Sequence, residues 1–332
     1  MEKLLTISVA AYNVEKYIEE CLVSFLNEAF INNIEVLIIN DGSTDNTACI
    51  SARYEEKYPG IFRLVNKKNG GHGSAVNCGI SEAKGRYFKT VDGDDWVDTG
   101  ALRELIDFIK VTDADVISTD YWWVDDKTYK KTKEIKNTFK GLKYRKKYKF
   151  DRVCSDIYIN MHAMAIKTEI LQKNKIKLDT HCFYVDAEYV LFPVPYIKTI
   201  AFLPKPVYMY RLGLSTQSMD LLNMQKNCQN HEKVLSRIVQ LYNKNKNILS
   251  NPKKEYLEKA IAKLVTSQIK IYLSYPASKE NKKKITRIEN IIRKKYPEVY
   301  FKMTNKAVFM LRSSNYMLYG IASIVLRKAA GL

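Results

Sequence analysis

Four short apolar runs in the first hundred residues each stop abruptly in small, polar or acidic residues. That repeat limits the fold more than any other feature. The runs cover residues 4–11, 35–40, 62–66 and 87–91. Continuous apolar and β-branched runs of this length read as strands buried on both faces. Between them the spacing turns helical. Ile18, Cys21, Leu22, Phe25 and Leu26 share one face of a helix over 14–30. A second helix passes through Ile50 and Tyr54, with Thr44 or Asp45 as its cap. A third spans 74–83, with Gly85 suited to its C′ position. A helix over 98–110 and a strand over 114–121 follow. The alternation predicts an α/β fold with a mainly parallel central sheet flanked by helices.

The fourth run ends in Asp92-Gly93-Asp94-Asp95. Carboxylates this close repel and raise one another's pKa unless a positive charge sits among them. A hard divalent cation, which takes oxygen ligands, is the natural partner. Ligands of open α/β sheets bind at the carboxyl ends of strands. The same four residues are also good turn chemistry in their own right, so the choice rests on the rest of the chain.

Charge is unevenly placed. The net charge is +18, yet residues 1–126 hold 12 Lys/Arg against 22 Asp/Glu, and residues 127–332 hold 42 against 14. A strongly basic second part predicts a polyanionic partner. There is no recognisable nucleic-acid motif, so no nucleic-acid partner is expected. An anionic membrane surface or a phosphate-bearing acceptor explains the charge as well, as does an ordinary lysine-rich surface. Six dispersed cysteines with no C-x-x-C pair fit a reducing cytoplasm. The N-terminus enters a strand directly, with no evident signal peptide. No run is long enough for a transmembrane helix. The nearest, residues 313–326, is short and bounded by Arg312 and Arg327-Lys328. It reads either as an interfacial anchor or as a helix packed on the body of the protein.

Further along, residues 115–140 read as a strand with a hairpin-like excursion and 137–149 as a basic loop. Residues 162–166, 183–195 and 201–211 read as strand, helix and strand. From about Asp220 the pattern is helical and lysine-rich.

Four motifs now stand in order: Ala10-Ala11-Tyr12-Asn13; Asn40-Asp41-Gly42-Ser43-Thr44-Asp45; Asn69-Gly70-Gly71-His72-Gly73 with Asn77 and Gly79; and Asp92-Gly93-Asp94-Asp95. In this order and spacing the chain resembles a family 2 glycosyltransferase of the bacterial cell-surface polysaccharide type. The resemblance implies a GT-A fold over residues 1–220, with a nucleotide-binding half (1–126) and an acceptor half (127–220). Residues 221–332 then form a basic helical C-terminal region, one that associates with membrane or packs on the body.

The resemblance also implies site residues. Asp41 would accept from a uracil N–H, with Ala10 and Tyr12 flanking base and ribose and Glu15 joining them. Asn69, Gly70, Gly71 and His72 would form a diphosphate loop at a helix N-terminus. The family more often has Arg where Val76 stands, and His72 replaces part of that charge. Asp92 would hold the ribose. Asp94 would ligate Mn²⁺ or Mg²⁺, with Asp95 a second ligand or an acceptor contact. Asp186 is the expected general base, with Glu188 the alternative; Val185 stands where the family usually has Glu. Arg211 and Ser215 would reach the diphosphate. His162 should approach the acceptor site, or serve as a satisfied core histidine. The implied activity is inverting, metal-dependent transfer from a nucleoside-diphosphate sugar, a UDP-sugar first, to a saccharide or lipid-linked acceptor. The place would be the cytoplasm or the inner face of the membrane. The rivals are a nucleotidyltransferase that makes a nucleotide-sugar and a non-catalytic binder of sugar nucleotides or polyanions.

Overall fold

The structure is a computed structural model and describes residues 3–213 and 221–329. The chain divides into two units, Met1–Leu214 and Ser215–Leu332.

The first unit alternates as expected through its first half: β1 (Leu5–Ala11), α1 (Ile18–Val23), β2 (Ile34–Asn40), α2 (Thr47–Lys57), β3 (Phe62–Asn66), α3 (His72–Glu82), β4 (Tyr87–Asp92), β5 (Trp96–Val97) and α4 (Thr99–Val111). Then come β6 (Val116–Asp125), β7 (Lys131–Ile135), β8 (Lys147–Lys149), β9 (Met164–Lys167), α5 (Thr168–Lys173), α6 (Asp186–Leu191) and β10 (Thr199–Leu212). The strands form one sheet in the order β3-β2-β1-β4-β9-β6-β10-β5, with β7 on β6 and β8 on β10.

Strands β3, β2, β1 and β4 are parallel; β1, β2 and β4 are buried on both faces, and β3 at the edge is half-buried. Beyond β4 the sheet is mixed, because β9 enters antiparallel to both β4 and β6. Register sets the strand ends level: Ala11 pairs with Asn40, and Ala10 with Asp92. The chain leaves β1 for β2 on one side and returns to β4 on the other. This is a topological switch point, where α/β sheets open a ligand crevice.

Several expected boundaries move. The helix over 14–30 shrinks to α1, since Ser24 donates its hydroxyl back to the Cys21 carbonyl and Asn27 accepts from Ala29 N–H. Such side-chain bonds compete with helix continuation. The helix over 183–195 is only α6, ahead of Pro193 and Pro195. His162 lies in a 3-10 turn, Met161–Ala163, ahead of β9. Gly85 is not a left-handed cap. A Cβ there would fall 2.4 Å from the Thr6 amide nitrogen, so the glycine serves a close approach to β1.

The second unit is helical: α7 (Leu221–Lys226), α8 (Cys228–Asn245), α9 (Asn251–Ser274), α10 (Lys279–Lys295), α11 (Pro297–Phe301), α12 (Lys306–Ser313) and α13 (Tyr319–Ala329). Helices α7, α8, α10, α11 and α13 all pack on α9, whose Leu257, Ile261, Val265 and Ile269 are fully buried. Among the described residues no helix is long and apolar enough to cross a membrane.

Candidate active site

The loops after β1 and β2 hold each other. Asn13 N–H donates to Ser43 Oγ (3.1 Å), and Asn13 Oδ1 accepts from Thr44 N–H (2.8 Å). Asp45 accepts from the amides of Glu15 and Thr47, and Glu15 from the amide and side chain of Asn46. Glu15, expected beside the base, is therefore part of this latch. Ala10 ends β1 opposite Asp92, and Tyr12 is half-exposed above it.

Asp41 is buried and serves the protein's own glycine loop. Its carboxylate accepts from Gly70 N–H (3.0 Å), Gly71 N–H (2.7 Å) and the Lys67 ammonium, while Asn69 donates to its carbonyl (3.0 Å). These bonds occupy most of what a carboxylate can accept. Asp41 therefore shapes the loop, and the uracil contact implied by resemblance would have to share this carboxylate. Gly71 has φ +80°, a conformation that side chains resist. His181 N–H donates to Gly70 O (2.6 Å), and Asn77 exchanges two bonds with Leu178. These contacts tie the α3 N-terminus to the segment leading into α6. Val76 is fully buried, so position 76 faces core and not ligand.

Behind the acid loop stands β10. The Tyr208 hydroxyl accepts from Asp92 N–H (3.1 Å) and donates to Asp95 Oδ2 (2.6 Å). Arg211 N–H donates to Asp95 Oδ1 (2.7 Å). Asp95 is nearly inaccessible, and burial with the charges of Asp94 and Asp92 pushes its carboxyl well up. Arg211, expected at the diphosphate, is instead buried. Its Nε donates to Asp94 O (2.7 Å), and its terminal nitrogens pair with Asp126 and Glu20. The rings of Tyr17, Trp96 and Tyr129 surround it. Ser215 lies outside the described residues.

In front, His72 Nε2 meets Asp92 Oδ1 at 2.8 Å. Burial alone would lower the imidazolium, but the charge and hydrogen bond of Asp92 outweigh it and hold His72 above its ordinary value. Burial and the neighbouring Asp92 charge push Asp94 up to about 6. Asp92, Asp95 and His162 bring ligand atoms within 4.8 Å of one another, where the sequence pointed to Asp94 and Asp95. Two carboxylates and an imidazole suit a divalent cation, and buried His162 Nδ1 has no hydrogen-bond partner among the described residues. The donor set therefore fits the implied ion. His162, packed on Tyr121, Tyr208 and Tyr210, is no satisfied core histidine. Its placement depends on β9, some 70 residues beyond the acid loop.

Asp186 opens α6 and is accessible. Crowding by protein raises its carboxyl, His72 opposes this and Asp92 adds to it, so all three charges bear on one space. Glu188 is fully buried and accepts from Asp179 N–H (2.8 Å), which removes it as the alternative base.

Lys89 is a residue the sequence reading missed, although a charged side chain inside an apolar run was its signal. It is fully buried in β4 and donates to His162 O at 2.6 Å. Burial pushes its ammonium down to about 7. The unfolded lysine keeps its proton to a higher pH, so the folded state binds fewer protons between about 7 and 10.5. Stability accordingly rises with pH across that window. Lys89→Met removes a penalty of roughly 4 kcal/mol at pH 7 but orphans a carbonyl, for a net gain of roughly 1–3 kcal/mol. Urea midpoints should show this gain shrinking as pH rises toward 9; a pH-independent difference overturns the assignment.

The comparisons follow the geometry. Residues 6–174 match the profile of Glycosyl transferase family 2. The chain is 35% identical over 122 residues to the uncharacterized glycosyltransferase EpsJ of Bacillus subtilis, covering 37% of this chain and 35% of that one. It is 35% identical over 126 residues to the glycosyltransferase GlyG of Streptococcus pneumoniae, covering 38% and 42%. The minor teichoic acid biosynthesis protein GgaB of B. subtilis is 27% identical over 66% of this chain and 24% of its own. The chain thus spans less than half the length of these relatives. Among solved structures, S. aureus TarS 1–349 with UDP-GlcNAc superposes with a TM-score of 0.64 at 17% identity, over 98% of this chain and 92% of that one. The mannosyltransferase PcManGT from Pyrobaculum calidifontis, with GDP-Man and Mn²⁺, gives 0.51 at 15% identity, over 98% and 87%. These two likenesses show the fold, and with the profile match over half its length the chain belongs to glycosyl transferase family 2.

Proposed function

We propose that this chain is an inverting glycosyltransferase that moves a sugar from a UDP-sugar to a saccharide or lipid-linked saccharide. The setting is cell-surface polysaccharide synthesis at the inner face of the membrane. One observation carries the reading: at the β1/β4 crevice Asp92, Asp95 and His162 bring ligand atoms within 4.8 Å of one another, and His72 meets Asp92 at 2.8 Å. The donor is supported by TarS having been crystallised with UDP-GlcNAc, and the setting by the teichoic acid role in GgaB's name.

Asp92, Asp95 and His162, with Asp94 adjoining, would hold Mn²⁺ or Mg²⁺, which when bound neutralises charge gathering on the leaving diphosphate. Asp92 gives Oδ1 to His72 and would turn Oδ2 toward the cation and the nearby ribose hydroxyl. The His72 imidazolium adds a fixed donor and positive charge for the diphosphate. Asp186 takes the acceptor hydroxyl's proton as that oxygen bonds to the anomeric carbon and the bond to the diphosphate breaks on the opposite face.

The test is a screen of UDP-, GDP-, CDP- and dTDP-sugars with Mn²⁺ or Mg²⁺. Release of a nucleoside diphosphate supports the reading, and release of pyrophosphate assigns a nucleotidyltransferase instead. Binding of sugar nucleotides without turnover would make the chain a non-catalytic binder. Asp186→Asn should lower kcat about 10²–10⁴-fold while the donor KM holds. Because its surroundings raise the Asp186 pKa, the acid limb of the kcat profile should lie above the ordinary aspartate range. Unchanged kcat in this variant removes Asp186 as the base.

A further inference from the structure

In a water-facing helix the apolar side packs inward. Helix α13 does the reverse. Its inner contacts are polar: Ser323 donates to Tyr275 O (2.9 Å), and the Tyr319 hydroxyl accepts from Ser278 N–H (3.3 Å). Ile321, Ile324 and Val325, at i, i+3 and i+4 spacing, are each more than 60% exposed. Its neighbour α12 buries Val308 and Leu311 but exposes Phe309 and Met310, and Met317 and Leu318 in the connection are exposed as well. Scattered apolar residues on a surface need no explanation, but seven on two adjoining helices and their connection do.

Charge selects the occupant. Residues 299–332 contain five Lys/Arg and no Asp/Glu. Lys302 and Arg312 are paired with Glu258 and Glu289. Lys306, Arg327 and Lys328 have no ion pair among the described residues. A second copy of the chain would bring like charges against these three. A surface that is apolar inside and anionic outside meets both features.

We infer that α12 and α13 form a docking face for an anionic lipid bilayer, with the apolar side chains entering the acyl boundary and Lys306, Arg327 and Lys328 at the headgroups. The inference deepens the lipid-linked-acceptor reading and rests on it for its biological purpose. It also bears on residues 313–326: the polar side of α13 packs on the end of α9 within the second unit, and its apolar side is exposed.

The test is flotation of the full chain with vesicles of phosphatidylcholine alone or mixed with phosphatidylglycerol. The chain should float with the mixed vesicles and lose that binding in high salt. The triple variant Ile321→Ser/Ile324→Ser/Val325→Ser should bind them at least about tenfold more weakly. Lys306→Gln/Lys328→Gln should lose about tenfold on the anionic vesicles only. Circular dichroism checks that both variants stay folded. Absence of wild-type flotation, or full flotation of the triple variant, overturns the inference. So does a solution dimer that the triple variant dissociates, which would assign the face to a second copy. Donor hydrolysis without lipid, expected unchanged in both variants, tests the sugar-transfer reading separately.

Discussion

Asp94→Ala should lower sugar transfer by at least about 10³-fold, several kcal/mol of transition-state stabilisation, and leave the fold intact or slightly steadier. Most active-site substitutions cannot separate these effects, because removing a buried carboxylate strands the donors that it satisfied. Asp94 differs from its neighbours here. The Asp95 carboxylate accepts from Tyr208 and Arg211, and the Asp92 carboxylate from His72. The tie to Asp94 is through its backbone carbonyl, which Arg211 Nε holds and which alanine keeps. Burial and Asp92 already push the Asp94 carboxyl up to about 6. A raised carboxylate subtracts from stability as pH climbs from the unfolded value through the folded one. At pH 7.5 without added cation the variant should therefore melt at or above the wild-type temperature. Mn²⁺ or Mg²⁺ should raise the wild-type melting temperature more than that of the variant. Retained activity would remove Asp94 from the cation site. A fall in melting temperature would show that its side chain supports the loop.

What the sequence disclosed follows from what short-range pattern can carry. Parallel strands buried on both faces write themselves as unbroken apolar runs, so β1, β2 and β4 and their carboxyl ends could be read with nothing folded. The acid loop and the glycine loop were legible as residue types at the ends of those runs, whereas Asp186 came from the family resemblance alone. What each side chain touches was not. Asp41 looked like a ligand contact because a carboxylate at a strand end can meet a base. The amides that it meets, those of Gly70 and Gly71, belong to a loop brought alongside by the pairing of β2 with β3. His162 could not be placed because its partners arrive through β9, whose antiparallel entry between β4 and β6 has no local signature. Arg211 shows the same limit. The resemblance implied a phosphate partner, while its position on β10, parallel to β6, delivers it to Asp126 and Glu20.

Arg211→Ala should destabilise the first unit by about 3 kcal/mol. For a unit of this size that is a fall of roughly 6–12 °C in melting temperature. The guanidinium is 1% exposed, fixed by three acceptors and enclosed by Tyr17, Trp96 and Tyr129. Truncation leaves a cavity among the rings and two carboxylates facing each other. Glu20 and Asp126 are partly exposed, so water offsets some of the loss, and the expected value sits at the low end for a broken buried pair. Arg211→Lys keeps the charge but cannot span three acceptors with one ammonium; it should recover about half of the stability. Activity should fall in both variants through kcat, because the Asp94 carbonyl loses its tether and the acid loop its fixed geometry. The donor KM distinguishes this role from the one implied by resemblance. An arginine that grips the diphosphate raises KM when removed and leaves melting untouched. An arginine that braces the loop lowers melting temperature and kcat together with KM nearly constant. Glu20→Gln/Asp126→Asn should reproduce the kcat loss without touching Arg211, since it removes the carboxylates that aim the guanidinium at Asp94. Full activity in that double variant would return Arg211 to the ligand.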